Sequence, residues 1–214
     1  MRVIVFGATG MVGQGVLREC LLAPDVTGVL AVTRTPTGLH HPKLHEAILT
    51  DLADLTSIEA DLSGYDACFY CLGVSSVGMD EAAYTRISYD FPMAAARPLA
   101  RLNPDLTFVY VSGAGTDPNS RLMWSRVKGR TENEIMALFP NGYAFRPGFI
   151  QPTYGVRSKT GWYNTAYALT APLLPILRRV VPKHVTTTDA VGRAMLRAAR
   201  TGFPNRVVTS ADMR

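Results

Sequence analysis

The 214-residue chain is 47% hydrophobic and only 18% charged, which supplies one full apolar core and excludes extensive disorder. Its net charge of +5 favours anionic ligands, yet the richest basic cluster is the pair Arg178-Arg179, which argues against nucleic acid as a partner. Cys20, Cys68 and Cys71 form no disulfide framework, no apolar run reaches membrane length, and glycines interrupt the first apolar run too early for a signal peptide. The expectation is a soluble cytoplasmic protein with no stable membrane insertion, monomeric or homodimeric.

Val3 to Phe6 is a short β-branched run suited to a strand buried on both faces. Gly7, Ala8, Thr9, Gly10, Met11, Val12 and Gly13 follow at once, and Gln14 to Leu22 takes helical spacing. A strand that turns through glycines into a helix lets backbone approach a phosphate, and the helix N-terminus presents free N–H groups to the anion. Val26 to Val32 reads as the second strand, ending at Thr33-Arg34-Thr35-Pro36. An acidic residue at that point bonds the adenosine ribose of NAD; Arg34 instead suits a 2′-phosphate, so NADP(H) is expected in preference to NAD(H).

Residues 36–45 read as a loop carrying His40, His41 and His45, and Ala47 to Thr50 as a short third strand ending at Asp51-Leu52. The Asp51 carboxylate can accept from an adenine amino group with Leu52 packing on the ring; alternatively, Asp51 starts a turn or caps the helix near Leu55 to Ala60. Tyr65 to Leu72 reads as the fourth strand, with Gly73 at its exit leaving room for a cofactor sugar. Cys68 and Cys71 have the spacing of a redox or zinc pair, but in a strand residues three apart face opposite ways, so both are read as buried small hydrophobes with no metal site. A helical pattern from Asp80 to Leu102 is interrupted by Pro92 and Pro98, which predicts a kink or a break.

Leu106 to Ser112 is the fifth predicted strand, Arg121 to Phe139 a charge-rich helix, and Tyr143 to Arg146 the next strand, left through Pro147-Gly148-Phe149-Ile150. This alternation predicts an α/β fold with a doubly wound parallel sheet: a single domain whose dinucleotide-binding core spans 1–150. Residues 151–214 are read as a C-terminal extension on the substrate side. Within it, the apolar, proline-interrupted run Trp162 to Val181 looks like a lid, Thr186 to Asp189 caps a helix from Ala190 to Arg200, and Arg206 to Thr209 forms a last strand. Trp162, Tyr163 and Tyr167 point to a small, partly hydrophobic substrate.

Together, Gly7-x-x-Gly10-x-x-Gly13, Asp51-Leu52, Cys71-Leu72-Gly73, Val111-Ser112, Lys128 and Arg146-Pro147-Gly148 resemble the short-chain dehydrogenase/reductase superfamily in its atypical or extended branch. Within that branch the chain resembles small NADP(H)-binding oxidoreductase-like proteins, which include the HIV-Tat-interacting protein, and bacterial epimerase-like proteins. The resemblance implies hydride exchange at a carbonyl or alcohol carbon. Ser112 would bind the substrate oxygen and Lys128 the nicotinamide ribose, while residues 146–150 would line the nicotinamide. The superfamily's proton-handling tyrosine lies four residues before the lysine, where this chain has Trp124, an indole that cannot ionise usefully. Tyr84 is the preferred substitute, with a water relay from Lys128 as another route and a catalytically weak, cofactor-sensing protein that binds a partner as the remaining reading.

Overall fold

The computed structural model describes residues 1–155 and 185–214. Seven parallel strands form its central sheet: β1 (Arg2–Phe6), β2 (Gly28–Thr33), β3 (Leu44–Ile48), β4 (Ala67–Tyr70), β5 (Thr107–Val111), β6 (Gly142–Arg146) and β9 (Val207–Thr209). Their spatial order, β3-β2-β1-β4-β5-β6-β9, reverses direction between β1 and β4. Such a switch point opens a crevice outside the carboxyl ends of the strands, where ligands bind in doubly wound folds. Two short strands, β7 (Phe149–Gln151) and β8 (Val185–Thr187), pair separately.

The strands obey the twofold alternation of a sheet covered on both faces. Val3 and Val5 face a core formed with Val16, Leu17 and Cys20 of α1 (Met11–Leu22) and Val191 and Met195 of α5 (Thr188–Thr201). Ile4 and Phe6 face the opposite core, with Met93 and Leu99 of α3 (Phe91–Leu102) and Ile135 of α4 (Met123–Leu138). The two sides differ in how closely helices approach: α1 and α5 meet through Gly15 and Gly192, where added Cβ atoms would come within 2.5 Å of Thr188 and 2.8 Å of Glu19.

The predicted break between residues 80 and 102 takes the form of a π-helical turn, Arg86–Asp90, between the short α2 (Glu81–Thr85) and α3. Its cause is Pro92. Having no N–H, proline leaves the Ser88 carbonyl without its helical donor, and two hydroxyls supply the replacement: Tyr110 donates at 3.0 Å and Thr131 at 2.8 Å. Pro98, by contrast, sits inside α3. The third strand also differs from expectation. It begins at Leu44 and ends at Ile48, so His45 lies on a strand, not in a loop. As an edge strand it exposes much of both faces, which weakens the alternation that would mark it in sequence. The expected lid, with Trp162, Tyr163 and Tyr167, lies outside the described residues.

Candidate functional site

The turn from β1 into α1 is shaped by glycines with different tasks. Gly7 adopts φ +76°, and a Cβ there would lie 2.6 Å from the Leu72 backbone nitrogen, so the β1 exit rests directly on the β4 exit. A Cβ on Gly13 would fall on the Gly7 carbonyl, which holds α1 tight against the turn. Gly10 is different. It is the N-cap in extended conformation (φ −83°, ψ 165°), and a Cβ there would meet only the Gly7 oxygen, at 3.3 Å. No side chain caps α1 and its first turn carries no acid. The first-turn N–H groups, including those of Met11, Val12 and Gly13, lack intrahelical acceptors, so this end suits a pyrophosphate.

Around this cradle the expected adenosine-side residues fare unequally. Arg34 stands exposed at the exit of β2. Asp51 instead follows the turn reading: its Oδ1 accepts from Ala53 N at 2.9 Å, while its Oδ2 pairs with Arg86 at 3.1 Å. Leu52 is 2% exposed within the core, so its side chain is not an open face for an adenine ring. This corrects the expected packing role of Leu52, and the physical reason is that the core under β3 claims it. Cys71 and Leu72 are half-buried and Gly73 exposed at the β4 exit; burial pushes the Cys68 and Cys71 thiols up, away from thiolate chemistry.

At the expected nicotinamide side the structure brings Lys128, Ser112 and Gly73 together. The Lys128 ammonium donates to the Ser112 carbonyl oxygen at 2.6 Å and lies 4.0 Å from where a Gly73 Cβ would be. Burial holds this ammonium down at about 8, against an upward pull from Glu132. The Ser112 hydroxyl turns into the sheet and donates to the Phe145 carbonyl at 3.0 Å, so it is the carbonyl of Ser112, not its hydroxyl, that meets Lys128. Trp124 lies with its Cη2 3.5 Å from the Cβ position of Gly115, packed over the loop that leaves β5.

Tyr84, the expected substitute proton donor, is 2% exposed in the core between α2 and α4. Burial raises its hydroxyl pKa, opposite to what a proton-shuttling tyrosine needs. That expectation is therefore corrected: Tyr84 is a core aromatic. At the β6 exit the backbone is already engaged, since the Pro147 carbonyl accepts from Ala114 N at 2.9 Å and Gly148 N donates to Ser210 Oγ at 2.8 Å. Phe149 and Ile150 continue into β7 beside β8.

The sequence reading missed Glu132. Its carboxylate is 1% exposed and takes Arg146 bidentately, with Nε at 3.0 Å and the terminal nitrogen at 2.5 Å. One signal was available: Glu132 follows Lys128 by one helical turn, on the stripe that also carries Val127, Thr131 and Ile135. A carboxylate on a buried stripe requires a cationic partner. Also missed was Arg126, which grips both Glu81 oxygens at 2.9 Å and the Ser120 carbonyl at 3.0 Å, so the chain leaving β4 and the chain leaving β5 are held together.

The model of the NAD dependent epimerase/dehydratase family matches residues 3–118, which covers every strand from β1 to β5 and the glycine turn. The chain belongs to this family. A mitochondrial FMP52-2 protein of Scheffersomyces stipitis is 31% identical over 153 residues, covering 68% of this chain and 65% of the relative. The mitochondrial FMP52 protein of Saccharomyces cerevisiae is 28% identical over 178 residues, covering 81% and 74%. This chain thus spans about two thirds to three quarters of these relatives' lengths. Their names place them in mitochondria, which overturns the cytoplasmic expectation.

Among solved structures, a short-chain dehydrogenase/reductase family oxidoreductase from Burkholderia thailandensis superposes with a TM-score of 0.74 at 15% identity, covering 98% of this chain and 90% of that one. WbmF of Bordetella bronchiseptica, solved in complex with NAD+, gives 0.72 at 17% identity over 99% and 76%. These likenesses establish the Rossmann-like fold.

Proposed function

We propose that this protein binds NADP(H) in preference to NAD(H) and uses it in oxidoreductase or epimerase-like chemistry on a small, partly hydrophobic carbonyl or alcohol. The observation that carries the reading is the cradle at the β1–α1 turn, where Gly7 and Gly13 have no room for a side chain but a Cβ on Gly10 would meet only the Gly7 oxygen, at 3.3 Å, beside an uncapped helix end. Within it, Gly7, Gly10 and the first-turn N–H groups hold the pyrophosphate, Arg34 the 2′-phosphate and Lys128 the nicotinamide ribose. Cys71, Leu72, Gly73 and residues 146–150 line the rest of the cofactor. When bound, the dinucleotide supplies or accepts a hydride. The chain's own task is to orient the substrate and exclude water, and the exposed Val74, Val77 and Leu122 on the loops that follow β4 and β5 support an apolar substrate body.

Calorimetric titration with NADPH and NADH, followed by a carbonyl panel assayed with whichever binds, tests the proposal. Tighter binding of NADPH and its oxidation with at least one carbonyl are expected; the absence of binding to both dinucleotides defeats it. A second reading, a cofactor-sensing protein that presents its occupied surface to a partner, is favoured by Trp124 at the tyrosine position. Turnover on any carbonyl by the wild-type protein excludes that reading, and activity gained only in Trp124→Tyr supports it.

A further inference from the structure

If the site reduces a carbonyl, something must protonate the developing alkoxide. Among the described residues at the β4 and β5 exits, the usual candidates are spent. Trp124 cannot ionise, Tyr84 is sealed in the core, and the Ser112 hydroxyl is committed to the Phe145 carbonyl. The Lys128 ammonium has three protons and directs one to the Ser112 carbonyl. One turn further along α4, the Glu132 carboxylate is occupied by both Arg146 nitrogens, which pins this stretch of helix to the end of β6 and keeps the carboxylate from capturing Lys128.

We propose that Lys128 itself is the proton donor to the substrate oxygen, with Glu132 and Arg146 as the positioning pair that holds it there. This rests on the preceding reading that the chain binds NADP(H). In the reducing direction an Nζ–H bond breaks and an O–H bond forms as the carbonyl π bond opens. NADPH is the reductant, its hydride passes to the carbonyl carbon, and it leaves as NADP+. The neutral amine then regains a proton from water, and the reverse path serves alcohol oxidation.

The groups around Lys128 favour this use. From its own helix comes Glu132, whose charge raises the lysine's proton affinity; from β6 comes Arg146, which offsets that charge. Tyr110 on β5, Tyr84 on α2 and Cys71 at the β4 exit are all pushed up by burial and stay neutral near pH 8. The ammonium is therefore held at about 8, far closer to physiological pH than an ordinary lysine and so better able to give up a proton.

The chain has four lysines, Lys43, Lys128, Lys159 and Lys183, so 13C-lysine NMR of the intact protein resolves them, with Lys128→Met identifying the signal. The expected result is a Lys128 midpoint near 8. Lys128→Arg, which keeps a cation but cannot release its proton, should bind NADPH while reducing the carbonyl at least ~100-fold more slowly. Glu132→Gln should move the Lys128 midpoint lower and Glu132→Asp restore it; should Glu132→Gln fail to fold, the wild-type midpoint and Lys128→Arg still decide. A midpoint above ~10 in protein that binds NADPH, or turnover retained by Lys128→Arg, overturns the inference alone. Absence of NADPH binding by the wild type overturns the functional reading beneath it.

Discussion

The ammonium of Lys128 and the carbonyl oxygen of Ser112 lie 2.6 Å apart, joining the middle of α4 to the exit of β5 across a half-buried cleft. Holding a cation there is costly. The ammonium's drop from 10.5 to about 8 corresponds to about 3 kcal/mol at ~1.4 kcal/mol per tenfold change. The unfolded chain keeps this proton up to the ordinary value whereas the native chain releases it near 8, so between those points the unfolded state binds more protons and stability rises with pH. Lys128→Met is therefore expected to be more stable than wild type at pH 7, by about 1–3 kcal/mol once the lost Ser112 bond is allowed for. The gap should shrink as pH climbs from 8 towards 10.5. Urea denaturation of both proteins across that range checks it; a constant gap would refute the assignment.

The cradle glycines separate folding from binding. Gly13→Ala forces a methyl onto the Gly7 carbonyl and should lower stability by several kcal/mol, roughly the cost of overpacking a core. Gly10→Ala meets only one atom, at 3.3 Å, in a backbone conformation open to alanine. It should melt within a few degrees of wild type yet bind NADPH at least ~10-fold more weakly, because the methyl occupies the phosphate's space. Unchanged affinity in Gly10→Ala would show that the turn is structural only.

The proposed preference for NADP(H) rests on Arg34, exposed at the exit of β2. Arg34→Asp removes the cation offered to a 2′-phosphate and supplies a carboxylate for a ribose hydroxyl. The expected outcome is a reversal of preference, with the ratio of NADPH to NADH dissociation constants rising by at least ~10-fold. An unaltered ratio in calorimetry rules Arg34 out of cofactor selection.

At the start of α5, Asp189 reports on acid stability. Burial pushes its carboxyl up, but hydrogen bonds from Thr187, Arg193 and Thr153 prevail and hold it at about 2, below the ordinary 3.8. The native state thus prefers the ionised form, which contributes about 2 kcal/mol above pH 4 and is lost as pH falls from 3.8 towards 2. Asp189→Asn should be less stable than wild type at neutral pH by about that amount, with the difference vanishing in acid. Denaturation midpoints at pH 7 and at about pH 2 provide the check, with roughly half of the difference still present at about pH 3.

What could be read directly from the chain was whatever depends on neighbours in sequence. The alternation of Val3 to Phe6, the glycines at 7, 10 and 13, and the helical spacing after them are local patterns, so the sheet class, the β1–α1 turn and most strands were legible. Pro92 likewise announced a break, because the missing N–H is a property of one residue. Tertiary packing decided the rest. Whether Tyr84 faces a cleft or a core, whether Asp51 meets adenine or Arg86, and whether Leu52 is open or enclosed all depend on how helices settle on the sheet. The Glu132–Arg146 pair joins a helix to a strand, and no periodicity within either element encodes their meeting. Such contacts are set by the angle and distance at which two elements pack, which arise only when burial of apolar surface brings the elements together.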